Sequence, residues 1–547
     1  MTADYSQPSK QAARERVLIH AVESLTTHRI TSPLIPAEDF KRTLGQACKF
    51  LEKHCALAAS QEVWPWEEAF LRQHSSAVGT RSPADLSVLF LAGDDPTLDI
   101  MQLEQLGVSP QNMWAVERDG KTFSEAIERI RETGYPVKAY RGNLHEFFEV
   151  APQQFDIVYF DSCSPLFGGD PNSVHPIREL FLNQRLSPLS ALITNFSEAN
   201  QDGQHAAEWA RRIAPWMMLR DEALLNNLLP EEDKDLPEAL QHVTAEEALV
   251  KIGSFENYVG LVSKNLPAFY SEFITRFVLD FGSVLLPWWR VAALPGAQSE
   301  YFKDKAAMKE ARKLERINQE KADKEMGPCQ WGPTFPVFRR ILSQIQDLPE
   351  SDPVRQHLFE HELHEVKLRE AIRDVYMMKN LIDSPSADDA SHLRAACNDE
   401  LVGLADNFRW FDYDHEPLGN VLGLSPQLNL LTDLFIGLYG YPYHANLKKH
   451  VRFKYKAEGR ATWMYSDVFV LDQARYFYGL MPTLSVVGEE LEFGLQLALR
   501  VGMHLIRLHA MCGYEELFAA ADFSSEVTGS IAETVLPHRE VYQPDEA

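Results

Sequence analysis

The strongest constraint on the fold lies between residues 86 and 265, where short apolar runs alternate with amphipathic segments. The runs are LSVLFLA, NMWAVE, PVKAY, FDIVYFD, SALITNF and NYVGLVS. Strands separated by helical patterns are too far apart to pair through tight hairpins, so the spacing predicts a parallel sheet with helices packed on both faces. At 547 residues the chain is too long for one core of ordinary size, and two or three domains are expected.

The first run enters the turn AGDDPTLDI. Asp95 is placed to cap a helix with Pro96 at its first position, and Gly107 stands where that helix would stop. The second run ends on Glu117, and Asp119 then caps a segment with Phe123, Ala126, Ile127 and Ile130 on one helical face. A carboxylate that closes the second strand of such a unit accepts hydrogen bonds from both hydroxyls of a ribose. A dinucleotide would set its pyrophosphate at the N-terminus of the first helix. There Asp94, Asp95 and Asp99 already supply negative charge, which favours a ligand without phosphate and with a cationic centre. S-adenosylmethionine meets both conditions.

In this order the elements resemble the class I S-adenosylmethionine-dependent methyltransferase superfamily, over the central third of the chain. The matching parts are LFLAGDD, AVERD, YRGNLHEFF, FDIVYFDSCSPLF and LSPLSALITNF. The resemblance implies an α/β fold, a Rossmann-like class I methyltransferase domain. It places Gly93 with Asp94 at the methionine part of the cofactor, Glu117 at the ribose, Asn143 at the adenine edge, and Asp161 with Ser164 on the reacting side. Two departures stand out: the turn has one glycine, and Ser187 to Ser190 occupy a position where the family commonly has a glycine pair. Methyl transfer from S-adenosylmethionine is the function implied. The single-glycine turn leaves open a catalytically inactive binding or assembly protein that keeps the fold. An aminopropyl transferase with the same pocket gets no support from a long C-terminal region.

Around this domain, placed at 81–265, the sequence predicts a helical N-terminal segment over 1–80, with Phe40, Leu44, Cys48 and Leu51 on one stripe. A Pro- and Trp-rich connector and a polar helix of mixed charge fill 266–334. The remainder, 335–547, is expected to be a large mainly α-helical C-terminal domain with one hairpin near 450–465. In that hairpin Arg452, Lys454 and Lys456 alternate with Val451, Phe453 and Tyr455. A strand here would carry one basic face for a phosphate backbone or an acidic protein, or simply one solvated face. The following SDVFVLDQARYFYGLMPTL is read as a helix of the core, capped by Ser466 or Asp467.

The formal charge of −26 excludes a surface that coats nucleic acid generally, because a polyanion would be repelled at long range. A macromolecular substrate, protein or nucleic acid, is the slight preference. Six cysteines without a C-x-x-C pair suit a reducing compartment, and no run reaches the length of a membrane span, so a cytoplasmic protein is expected. His357, His361 and His364 share a helical face, but apolar residues hold the opposite face, and no metal site is expected. GPCQWG at 327–332 is read as a loop, and Cys163 as an inert thiol.

Overall fold

The computed structural model describes residues 7–37, 64–168, 173–217, 255–285, 440–456, 461–480 and 536–543, with a few single positions between them. The polar helix expected within 266–334, GPCQWG, the three histidines and most of 335–547 lie outside the described residues.

Among the described residues two helices, α1 (Pro8–Leu25) and α2 (Trp64–Val78), precede the sheet. Then β1 (Val88–Leu91), α3 (Thr97–Gln105), β2 (Met113–Glu117), α4 (Gly120–Thr133), β3 (Lys138–Arg141), α5 (Leu144–Val150), β4 (Phe155–Asp161), α6 (Val174–Leu182) and β5 (Leu186–Ser197) alternate. These five strands are parallel in the order β3-β2-β1-β4-β5. The direction of winding reverses between β1 and β4, and carboxyl ends at such a switch open the crevice where doubly wound sheets bind ligands.

Beyond β5 the sheet continues with residues from far along the chain. After α7 (Gly203–Met217), α8 (Phe255–Lys264) and α9 (Leu266–Asp280) come β6 (His444–Ala445), β7 (Val451–Lys456) and β8 (Trp463–Asp472). Strand β8 runs antiparallel to β5, from Leu189 opposite Asp472 to Ser197 opposite Met464. Strand β7 pairs antiparallel with β8, β6 lies beside β8, and β9 (Glu540–Val541) runs parallel to β7. A mostly parallel sheet with one reversed strand is consistent with a Rossmann-like methyltransferase fold.

Three expectations change. The hairpin at 451–472 does not belong to a separate C-terminal domain; it completes the central sheet. SDVFVLD is strand rather than capped helix, because Met464 to Asp472 are buried on both faces and their continuous apolarity carries no period. NYVGLVS is helix rather than strand, and its buried Val259 and Val262 stand three apart, as helical spacing requires.

One face of the sheet packs on α1, whose Ala13, Val17, Leu18, Ala21 and Val22 meet Phe90, Ile157, Ala191, Phe453 and Val468 in one apolar cluster. The other face receives α9. There Phe167 stacks on Phe273 at 5.8 Å and meets Phe277 edge-on at 6.1 Å, and Tyr270 meets Trp209 and Tyr465 edge-on. Between α9 and the hairpin lies a buried ionic network. Asp467 Oδ2 accepts from Arg539 Nη2 at 2.8 Å, while its Oδ1 accepts from Thr275 Oγ1 at 2.9 Å and meets His450 Nε2 at 3.0 Å. Arg539 also donates to the Phe453 and Ser466 carbonyls, so one side chain ties residues 271–275, β7 and β8 together.

Removing one partner of a buried ion pair leaves an uncompensated charge, so Arg539→Ala should destabilise the fold by about 3–5 kcal/mol in urea unfolding. Burial alone would raise the Asp467 carboxyl, but Arg539, the His450 hydrogen bond and Arg452 outweigh it and hold it well below the usual carboxylate range. Its stabilising contribution is complete above the ordinary value of 3.8 and is lost as pH falls below that value. Asp467→Asn should therefore flatten the acid limb of the stability curve, and an acid limb identical to wild type would remove this assignment.

Candidate active site

The carboxyl ends of β1 to β4 open on one cavity of about 270 Å³. Gly93 lines it from the turn after β1, Glu117 from the end of β2, Asn143 from the turn after β3, and Asp161 with Ser164 from the end of β4 and the loop beyond. Five of the six cofactor and reacting-side residues picked from the sequence thus meet around one space. Asp94 is the exception and does not line it.

Each wall residue is held for a local reason. Gly93 has φ 57°, a left-handed backbone that costs a side-chain-bearing residue roughly 1–2 kcal/mol, so the one glycine of the turn stands where glycine is required. The Asp119 N–H donates to Glu117 Oε1 at 2.8 Å and Asp119 itself caps α4, which fixes the carboxylate at the end of β2. Glu117 Oε2 has no protein partner among the described residues. Asn143 occupies the cap position of α5 without using its side chain for capping, so its amide is not spent on the helix.

Asp161 is the most elaborately held. Asn195, its partner in register on β5, donates from Nδ2 to Asp161 Oδ1 at 2.7 Å and to the Tyr455 hydroxyl at 3.1 Å. Ser466 Oγ donates to Asn195 Oδ1 at 2.9 Å. The Cys163 thiol donates to the same Asp161 oxygen at 3.1 Å from a backbone at φ 51°, a left-handed conformation that a cysteine rarely adopts and that concentrates at functional turns. Burial, with Asp161 beside it, pushes the Cys163 thiol far up, which makes it an inert donor rather than a nucleophile. The loop is anchored by Tyr270, whose hydroxyl accepts from the Leu166 N–H and donates to the Ser197 carbonyl. Ser164 Oγ makes only long contacts, 3.4 Å to Ser162 Oγ and 3.5 Å to Ser173 Oγ.

The acidic turn is less negative than its sequence suggests. Asp95, one residue before the Pro96 cap of α3, accepts from the Thr97 N–H at 3.1 Å and faces Arg129 at 3.4 Å. Asp99 pairs with Arg14 of α1 at 2.7 Å. With Asp99 neutralised by Arg14, the cavity still keeps an acidic excess among the described residues, Glu117 and Asp161 against the one basic lining residue Arg118.

None of the three basic strand residues reaches the cavity. Arg452, 2% exposed, is committed to Glu272 of α9 at 2.8 Å, whereas Lys454 is half-buried and Lys456 exposed on the same face of the strand. Arg452 is not available to a phosphate backbone. Lys454 and Lys456 lie over the Trp463 ring at 4.8 and 4.5 Å.

Sequence reasoning missed Asn195, Asp99 as a wall residue, and Arg14. A signal for Asn195 existed: a buried amide within the apolar run SALITNF needs partners, and partners at a strand's carboxyl end point to a site. Arg14 left none, since its partner is 85 positions away on another helix.

No family model matches this chain. No curated protein matches it. Among solved structures it is similar in part to "StiE O-MT residues 942-1257", at 16% identity over 36% of this chain and 69% of that one, with a TM-score of 0.18. It is also similar in part to the plantazolicin methyltransferase BamL, in complex with a triazolic desmethylPZN analog and SAH, at 12% identity over 47% of this chain and 74% of that one, again with a TM-score of 0.18. The methyltransferase-like character of the fold rests on its own strand order rather than on these overlaps.

Burial raises the Asp99 carboxyl to about 6 against the pull of Arg14. The folded chain therefore holds this proton more tightly than the unfolded chain. The resulting stability is fully present below the ordinary value of 3.8 and is lost as pH rises through about 6. Urea unfolding of Asp99→Asn from about pH 4 to about pH 7 should lack that decline; a variant that declines like wild type would assign it to another group.

Proposed function

We propose that the protein is an S-adenosylmethionine-dependent methyltransferase. The observation that carries this is the convergence of Gly93, Glu117, Asn143 and Asp161, from four successive strand ends, on one cavity with an acidic excess. The donor set suits the cofactor. Glu117 offers one unengaged carboxylate oxygen for ribose hydroxyls, the Asn143 amide offers donor and acceptor for an adenine edge, and the left-handed Gly93 turn lets a ligand approach the backbone closely. The acidic balance favours a cation and disfavours a pyrophosphate.

When bound, S-adenosylmethionine supplies an electrophilic methyl group on a sulfonium. The protein's part is orientation and proton management. Tyr159, Phe160 and Leu91 wall the cavity and reduce water access to it. Asp161, with Oδ1 occupied by Asn195 and Cys163, presents Oδ2 as the acceptor for a proton released by the methyl acceptor. With Arg452 buried, the argument that the basic strand offers for a nucleic-acid acceptor narrows to Lys454 and Lys456, and the acceptor class, protein or nucleic acid, stays open between the two.

The test is calorimetric titration of the full chain with S-adenosylmethionine, its demethylated product and NAD. Saturable binding of the first two and not of NAD is expected; binding of NAD alone would make the cavity a dinucleotide site. Glu117→Ala should weaken S-adenosylmethionine binding by about 1–3 kcal/mol, the worth of hydrogen bonds to a charged acceptor.

A further inference from the structure

Asn195 is 2% exposed and every polar atom of its amide is engaged. Its orientation follows from its neighbours. A carboxylate only accepts, so the nitrogen faces Asp161, the oxygen faces Ser466, and the Ser466 hydroxyl donates. The amide is thus clamped by two residues of the distant hairpin, Tyr455 on β7 and Ser466 on β8, and it clamps Asp161 in turn. A network this complete holds a carboxylate in one rotamer, with Oδ1 occupied and Oδ2 as its remaining acceptor toward the cavity.

We propose that Asn195 is a positioning residue that aims the Asp161 carboxylate, and that this carboxylate makes the site prefer the sulfonium cofactor over its neutral thioether product. The proposal rests on the methyltransferase reading. It adds a role to the hairpin, which supplies the clamp without entering the cavity. S-adenosylmethionine and its product share adenosine and methionine parts and differ by one methyl group and one positive charge. A fixed carboxylate in a walled cavity distinguishes them electrostatically, whereas the ribose and adenine contacts do not. Such a preference favours departure of the product after transfer. The other ionisable groups around Asp161 are Arg14 of α1, Asp99 of α3, Tyr159 of β4, Cys163 and Tyr455 of β7. Asp161 is one cause of the raised Asp99 carboxyl, so the constants are compared at a pH well above its value of about 6, where Asp99 carries the same charge in wild type and variants.

The experiment measures dissociation constants of S-adenosylmethionine and S-adenosylhomocysteine for the full chain at one pH, and follows their ratio. Asp161→Asn keeps shape and removes charge; it should reduce the preference for the cation roughly tenfold while leaving the thioether's affinity nearly intact. Asn195→Ala should reduce the preference severalfold, and adding it to Asp161→Asn should reduce it no further, because both act through one carboxylate. A merely structural role would weaken both ligands together and leave the ratio alone. Two ligands that bind wild type well, with a ratio unmoved by Asp161→Asn, would overturn the charge preference and leave the methyltransferase reading standing. A ratio moved by Asp161→Asn but not by Asn195→Ala would overturn the role of Asn195. If wild type binds neither ligand, the reading and the inference fall together. Should Asn195→Ala fail to fold, Ser466→Ala tests the same clamp from its outer end.

Discussion

The architecture depends on the pairing of β5 with partners from both ends of the chain. One of its edges binds β4, its near neighbour in sequence, in parallel register; the other binds β8 in antiparallel register. Nearly all of its twelve residues are buried. A strand buried on both faces and paired on both edges has no solvent-satisfied groups, so it is rigid, and whatever projects from its end is rigidly placed. Asn195 projects from that end, and it reaches Asp161 in one direction and Ser466, 271 positions away, in the other.

The sheet's two faces solve different problems. Toward α1 the contact is apolar, apart from the Arg14–Asp99 pair at the cavity's edge. Toward α9 and the C-terminal residues aromatic packing is joined by an ionic network, with Arg452, Arg539, Glu272 and Asp467 neutralising one another out of water. Buried ion pairs contribute little net stability compared with apolar packing, but they are unforgiving about which partners meet. In a chain with formal charge −26, burying arginines against acids fixes registry between distant segments where apolar contacts alone would tolerate sliding.

Much of the parallel half of the sheet was legible from alternation alone, and the cavity residues from their places at strand ends. Gly93, Glu117, Asn143 and Asp161 could be picked because strand ends in a doubly wound sheet converge by geometry, whatever the loops contain. The hairpin was legible as a hairpin but not as part of this sheet. Local pattern specifies that Arg452 and Phe453 point opposite ways, and nothing in it says that a helix nearly two hundred positions earlier supplies Glu272 to cover the arginine. The rule that a strand has one wet face fails at Arg452, which α9 covers, and holds at Lys456, which is exposed. Likewise Asp95 and Asp99 looked unopposed because Arg129 and Arg14 are brought to them only by packing.

The delayed arrival of β8 shapes how the chain must be made. Synthesis proceeds from the N-terminus, so β1 to β5 and their helices emerge long before residues 463–472 exist to cover the free edge of β5. During that interval the nascent protein carries an unpaired, apolar strand edge, the feature most prone to pair with the wrong chain. Closing a loop of this length costs little more entropy than closing one half as long, since the penalty grows only logarithmically. The difficulty is kinetic, a matter of waiting. A form truncated before β8 would leave that edge without its native partner, and aggregation should begin there.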